Sequence, residues 1–186
     1  MVAAGIFLLG RIAFMFTPKA EFVLLLIGTF TMLQGAIRAA RAWDIKQVLA
    51  YSTISQLELM VVAVGFGSWQ LAIFHLLTHA FFKAGLFLAA GSVIHSLSPS
   101  DGTTTTDPQS LKTMGGLRRR LPITWAVFGI CAASLAGLPF FSGFLSKDAI
   151  FIAGFAWAGR LGGVAYLFPM AALLAAALTA FYLFRL

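Results

Sequence analysis

The chain has almost no cysteine and very little charge. Of its 186 residues one is cysteine, Cys131, and only 10% are charged. One cysteine excludes a disulfide framework, a C-x-x-C pair and a Cys-ligated iron–sulfur site. GxGxxG and P-loop patterns are also missing, which removes the common nucleotide cradles. No redox cofactor is therefore expected in this chain, and no metal site. The N-terminal stretch MVAAGIFLLG has neither a basic leader nor a small-residue cleavage site, so it does not read as a secretory signal peptide.

What is present is apolar surface. Hydrophobic residues make up 60% of the chain and the mean hydropathy is +0.94. Soluble domains carry roughly 25% charged residues, so this composition belongs to an integral membrane protein, bathed by a lipid bilayer. The net charge of +7 does not point to nucleic acid, because the basic residues cluster in the breaks between apolar runs.

The runs predict an all-α, polytopic helix bundle of about six membrane segments, at 2–16, 21–40, 45–66, 69–97, 122–157 and 161–184. The first is only about 15 residues where a span needs about 20, so it reads as the tail of a helix and the chain as a fragment. The fifth is too long for one span and is interrupted at GLPFFSG. Between the fourth and fifth lies SPSDGTTTTDPQSLKTMGGLRRR, a polar stretch expected to be a mobile surface loop rather than a domain boundary. Basic residues are asymmetric. Arg38, Arg41, Lys46, Lys112, Arg118, Arg119, Arg120 and Arg185 fall on one side, against Arg11, Lys19 and Arg160 on the other. Eight against three places the first group in the cytoplasm or an organelle matrix.

Four ionisable side chains interrupt the apolar runs. His75, His79 and Lys83 are spaced i, i+4, i+8, so they share one helix stripe about 12 Å long. Charge in hydrocarbon costs several kcal/mol per group, which makes a proton or cation path the leading reading, with a structural hydrogen bond as the bland one. Histidine titrates nearest to neutral pH, and a lysine between helices is suited to hold and release a proton. The fourth is Lys147. Pro139 lacks an N–H and breaks its helix, and Gly137 and Gly143 permit the irregular backbone between the halves. Lys147 lies early in the second half-helix, whose positive dipole end disfavours an ammonium, while Asp148 would act oppositely if it shares the cavity. Snorkelling to the surface is the alternative for Lys147. In the third segment Tyr51, Ser55 and Glu58 follow i, i+4, i+7, flanked by Ser52 and Gln56. Glu58 could bind a proton, pair with a lysine or stay protonated.

The segments DIKQVLAYSTISQLELM, FHLLTHAFFKAGLFLAAGSVIHSL, KTMGGLRRRLP and ASLAGLPFFSGFLSKDAI together resemble the large antiporter-like membrane subunit of respiratory complex I. The resemblance covers essentially the whole chain. It implies a proton-translocating subunit of NADH:quinone oxidoreductase, with residues 1–20 closing a first repeat and 21–186 forming a second, inverted five-helix repeat. It further implies Lys83 as the central-axis lysine, Lys147 as the lysine of the broken helix that faces the exit, and His75 and His79 as bridging water between them and the cytoplasmic input. Lys46 matches a family lysine near the cytoplasmic helix end. NADH, FMN, iron–sulfur clusters and quinone would then lie in partner subunits, and the partners of this chain would be other membrane-arm subunits. A bacterial plasma membrane or a mitochondrial inner membrane is the expected location. Glu58 departs from the family, which usually has glycine there. A multisubunit Na⁺/H⁺ antiporter, a membrane-bound hydrogenase and an inactive remnant are the alternatives. The polypeptide by itself is not expected to move protons across a liposome.

Overall fold

In the computed structural model, residues 2–98, 108–112 and 114–186 are described, and the first part of the expected mobile loop, 99–107, lies outside them. Among the described residues there are eight α-helices and two short 3-10 turns: α1 Val2–Ile12, α2 Pro18–Arg41, α3 Ile45–Gly65, α4 Trp69–Leu97, α5 Leu117–Arg120, α6 Pro122–Ala136, α7 Ser142–Leu161 and α8 Leu167–Phe184. The turns, Ala13–Met15 and Gly163–Tyr166, follow α1 and precede α8.

The expected segments are found, with shifted ends. α2 begins three residues earlier than the apolar pattern, because Pro18 suits the first helical position and the Thr17 hydroxyl accepts from the Ala20 N–H. Asp44 starts α3 by accepting from the N–H groups of Lys46 and Gln47 at 2.7 and 3.2 Å. LRRR, expected as loop, winds into α5. The last segment starts later than expected, since α7 runs through Leu161 before the chain turns at Gly162 and Gly163.

Among the described residues four stretches are long and apolar enough to cross a membrane: α2, α3, α4 and Gly163–Phe184. α1 is short, and α6 and α7 are the halves of the interrupted fifth segment. The helix α3 is the hub. Its span is 67% buried, against 28–39% for the other three. α2 lies close along it because Gly28 and Gly35 face it. A methyl at Gly35 would meet the backbone of Ser55 and Tyr51 at 3.0 and 3.2 Å. Close backbone approach through small residues is how helices associate where burial of apolar surface gives no drive. The outer faces carry exposed apolar side chains such as Phe30, Phe81, Leu88, Ile123 and Phe181, a surface suited to acyl chains.

One end of the bundle is tied together. The α2–α3 connection pairs with residues after the undescribed loop through an Asp44–Ser110 bridge and the bonds Ile45 N–H to Gln109 O and Leu111 N–H to Trp43 O. Arg185, after α8, donates to the carbonyls of Ala40 and Ala42 and lies over the Trp43 ring. These contacts bring Arg185 and two basic loops to the same end. Arg185→Met is expected to destabilise the closed end by about 2 kcal/mol, since two charge-assisted bonds to otherwise open helix-end carbonyls disappear. A thermal melt of the purified protein in detergent checks this.

Candidate functional site

All four ionisable groups lie inside the bundle. His75 is fully enclosed, and His79, Lys83 and Lys147 are 5% or less exposed. Along α4 the two imidazole centroids are 6.1 Å apart, and the His79 ring stands edge-on to Phe82 at 5.3 Å. His79 Nε2 is buried with no hydrogen-bond partner among the described residues.

The Lys83 amine leaves the α4 stripe and turns to α3. It donates to Leu49 O at 3.0 Å and to the Ser52 hydroxyl at 2.5 Å. Ser52 itself donates to Leu49 O at 2.8 Å. One turn further along α3, the Gln56 oxygen faces His75 Nε2 at 3.3 Å. The opposite ring nitrogen, Nδ1, lies 2.8 Å from Ser146 Oγ on α7. Ser146 is in turn 3.1 Å from the Thr78 hydroxyl, which donates to His75 O. From α8, the Thr179 hydroxyl oxygen accepts from Gln56 Nε2 at 3.3 Å and from Tyr182 Oη at 3.2 Å. α3 and α7 thus hold the His75 ring in hydrogen bonds to neutral groups, and α8 holds Gln56 in turn.

The helix break is made earlier than its proline. α6 ends at Gly137, whose φ of 83° is left-handed, and the Gly137 and Leu138 N–H groups fold back onto Ser134 and Ala133 carbonyls. This glycine termination closes the helix two residues before Pro139, which then prevents it from resuming. Phe140 is also left-handed, at φ 75°, and projects fully outward. For a bulky residue this is a strained conformation. α7 then restarts against α6. Gly143 is pressed onto the Ser134 carbonyl, and its N–H donates to Ser134 Oγ at 3.2 Å.

Lys147 reaches back across the break and donates to Leu135 O at 2.5 Å. That carbonyl is in the last turn of α6, the negative end of its dipole. The ammonium therefore sits between an unfavourable helix start and a favourable helix end, of which the sequence revealed only the first. Snorkelling does not occur. Asp148 is exposed, and it shares with Lys147 a cavity of about 220 Å³ beside the break that is also lined by Gly137, Phe144 and Phe151.

The remaining expected residues lie apart from this group. Lys46 is exposed at the start of α3, one turn from Leu49. Glu58 is half-buried and its carboxylate faces Thr31 on α2, so its neighbour is a hydroxyl and not a path lysine. The polar face of α3 divides. Ser55 and Glu58 turn to α2, whereas the flanking Ser52 and Gln56 touch Lys83 and His75. Thr78, Ser146, Thr179 and Tyr182 were not singled out from the sequence. The signal for the last two was present, as two polar residues at i, i+3 inside the apolar LLAAALTAFYLF. Among the described residues no group of three His, Cys, Asp or Glu side chains is arranged to hold a metal ion.

Comparison with known proteins gives consistent likenesses. The family model described as NADH:quinone oxidoreductase/Mrp antiporter, TM matches residues 1–175. The chain is 46% identical over its whole length to the chloroplastic NAD(P)H-quinone oxidoreductase subunit 5 of Chaetosphaeridium globosum, and 45% identical to the subunit 5 of the organellar chromatophore of Paulinella chromatophora. Among solved structures it superposes on a chain of the Mrp complex from Dietzia sp. DQ12-45-1b with a TM-score of 0.85 and 34% identity, covering all of this chain and 20% of that one. A chain of the membrane-bound sulfane sulfur reductase, an archaeal respiratory membrane complex, gives a TM-score of 0.82 at 28% identity, covering 98% of this chain and 36% of that one. The chain spans 27% of the length of each of these two subunit 5 relatives.

Proposed function

Because the chain belongs to the NADH:quinone oxidoreductase/Mrp antiporter family of integral membrane proteins, we propose that it forms part of a proton-translocating subunit of NADH:quinone oxidoreductase. Lys83, His79, His75 and Lys147 carry the proton on this reading. The observation that supports it most is the burial of four ionisable groups in one band of the bundle, three of them, His75, Lys83 and Lys147, with carbonyls, hydroxyls and an amide as hydrogen-bond partners. A structural lysine needs a counter-charge to offset its burial. A lysine held by neutral acceptors can give up its proton and leave no unpaired carboxylate behind.

In the proposed sequence Lys83 holds a proton against Leu49 O and Ser52, near the end of α3 that carries Lys46. His79 and His75 bridge toward Ser146, and Lys147 at the break passes the proton into the cavity it shares with Asp148. Electron transfer belongs to partner subunits, which hold NADH, FMN, iron–sulfur clusters and quinone. The neighbours of this chain are other membrane-arm subunits and lipid. Residues 1–20 close one repeat and 21–186 form the next, inverted one. Identity of 46% to an oxidoreductase subunit, against 34% to an Mrp chain, favours this assignment over an antiporter.

The test is Lys147→Ala in the assembled complex, incorporated into vesicles. Proton translocation per electron pair delivered to quinone is expected to fall by more than about tenfold, in the range seen when a positioned acid–base group is removed. Unchanged translocation by a normally assembled complex would remove the basis for the proposal.

A further inference from the structure

Resting on that reading, we infer that Gln56 is a positioning residue that sets the tautomer of His75: Nε2 carries a fixed hydrogen, and Nδ1, facing Ser146 on the restarted helix, takes up the mobile proton. The assignment follows from counting hydrogens around Thr179. Its hydroxyl has one hydrogen, which goes to Ala175 O at 2.8 Å, the shortest of its three contacts. The oxygen is left to accept, and it receives the Tyr182 O–H and one Gln56 N–H. The Gln56 amide nitrogen is therefore turned to α8, and its carbonyl oxygen must face His75. A carbonyl oxygen opposite a ring nitrogen at 3.3 Å requires that nitrogen to bear hydrogen. In the neutral ring Nδ1 is then bare, and it accepts from Ser146 O–H at 2.8 Å.

Proton uptake changes one atom. When Nδ1 gains a proton it becomes a donor to Ser146 Oγ, and the serine hydrogen swings to Ser142 O or Gly143 O, 3.2 and 3.3 Å away. On release the same proton leaves Nδ1 and the serine hydrogen returns. Gln56, Thr179, Tyr182 and Ser146 keep their charge, and the proton is gained from and lost to the relay neighbours, His79 and Lys147. The charge of His75 is thus read out on the first turn of α7, at the helix break, while the far side of the ring stays the same. The ionisable neighbours are His79 on α4 and Lys147, the residue after Ser146. With the other tautomer, the Nδ1 hydrogen would be the fixed one and the exchangeable site would face α3 and α8.

The experiment compares Gln56→Met, Gln56→Glu and Thr179→Val in the assembled complex, reading protons translocated per electron pair. Met fills the space without an acceptor, whereas Glu retains an oxygen opposite Nε2. Gln56→Met is expected to lose about tenfold in translocation, as when partners that hold a histidine tautomer are removed, and Gln56→Glu to lose less, because its oxygen keeps the tautomer although its charge favours the protonated ring. Thr179→Val frees the amide to turn over and should lose several-fold. Combining Thr179→Val with Gln56→Glu should recover that loss, because both ends of a carboxylate accept. A packing role for Gln56 predicts the reverse order, with Met tolerated and Glu harmful, and that order overturns the inference. If Gln56→Met fails to assemble, the recovery of Thr179→Val by Gln56→Glu decides it, and no recovery overturns the inference. Should Lys147→Ala still abolish translocation while these variants leave it intact, the tautomer assignment fails and the proposed function stands.

Discussion

Lys83→Met in the assembled complex is expected to lower proton translocation by about a hundredfold, without loss of the subunit from the membrane. Methionine keeps the length of the side chain and removes the amine. The stability side of the expectation comes from what the amine leaves behind. The Ser52 hydroxyl already donates to Leu49 O at 2.8 Å, so deleting the ammonium leaves that carbonyl with a donor. Burial of a positive charge among apolar side chains is itself costly, and exchange for an isosteric apolar group should leave stability unchanged or raise it by about 1–3 kcal/mol. Lys83→Arg separates charge from proton transfer. Arginine retains the charge but does not release its proton, so it should fail as Met does. Measuring translocation by quenching of a pH-gradient dye, beside a thermal melt, checks both arms. Arginine translocating at the unsubstituted rate would mean that Lys83 supplies only a fixed charge.

The positions of the helices were legible because each is a long apolar run with a polar stop, and Thr17–Pro18 and Asp44 mark two of the starts. The side of α3 that meets the lysines was not. α3 is buried over two thirds of its span, so its apolar residues show no single face, and the i, i+4, i+7 series Tyr51, Ser55, Glu58 is as regular as Ser52 and Gln56. Choosing between them needs the neighbour. Gly28 and Gly35 on α2 take Glu58 and Ser55, and α4 takes the other pair. Thr179 reaches Gln56 across 123 residues, a contact that periodicity within α8 cannot announce. The break was legible in composition and misassigned in cause. Pro139 follows a helix that Gly137 has already ended, and Gly143 sets how closely α7 can restart.

Gly143→Ala is expected to be the most damaging of the conservative changes at the break, costing about 3 kcal/mol or more and depleting the subunit from the membrane. The added methyl would land on the Ser134 carbonyl oxygen and within 2.8 Å of its carbon. Those are backbone atoms inside α6 and cannot rotate aside, so α7 itself must move. Moving α7 stretches the Gly143 N–H bond to Ser134 Oγ and pulls Lys147 from Leu135 O, each a buried group that would lose its partner. Gly137→Ala makes a useful contrast. There the new methyl meets only Lys147 Cδ at 3.5 Å, and the penalty is the left-handed φ of 83°, about 1–2 kcal/mol. Pro139→Ala should cost less again, since α6 has already ended. Melting temperatures of the three variants in detergent test the order. If Pro139→Ala were the worst, the break would depend on the proline. If Gly143→Ala is the worst, it depends on contact between the two half-helices, and the same contact holds Lys147 in place.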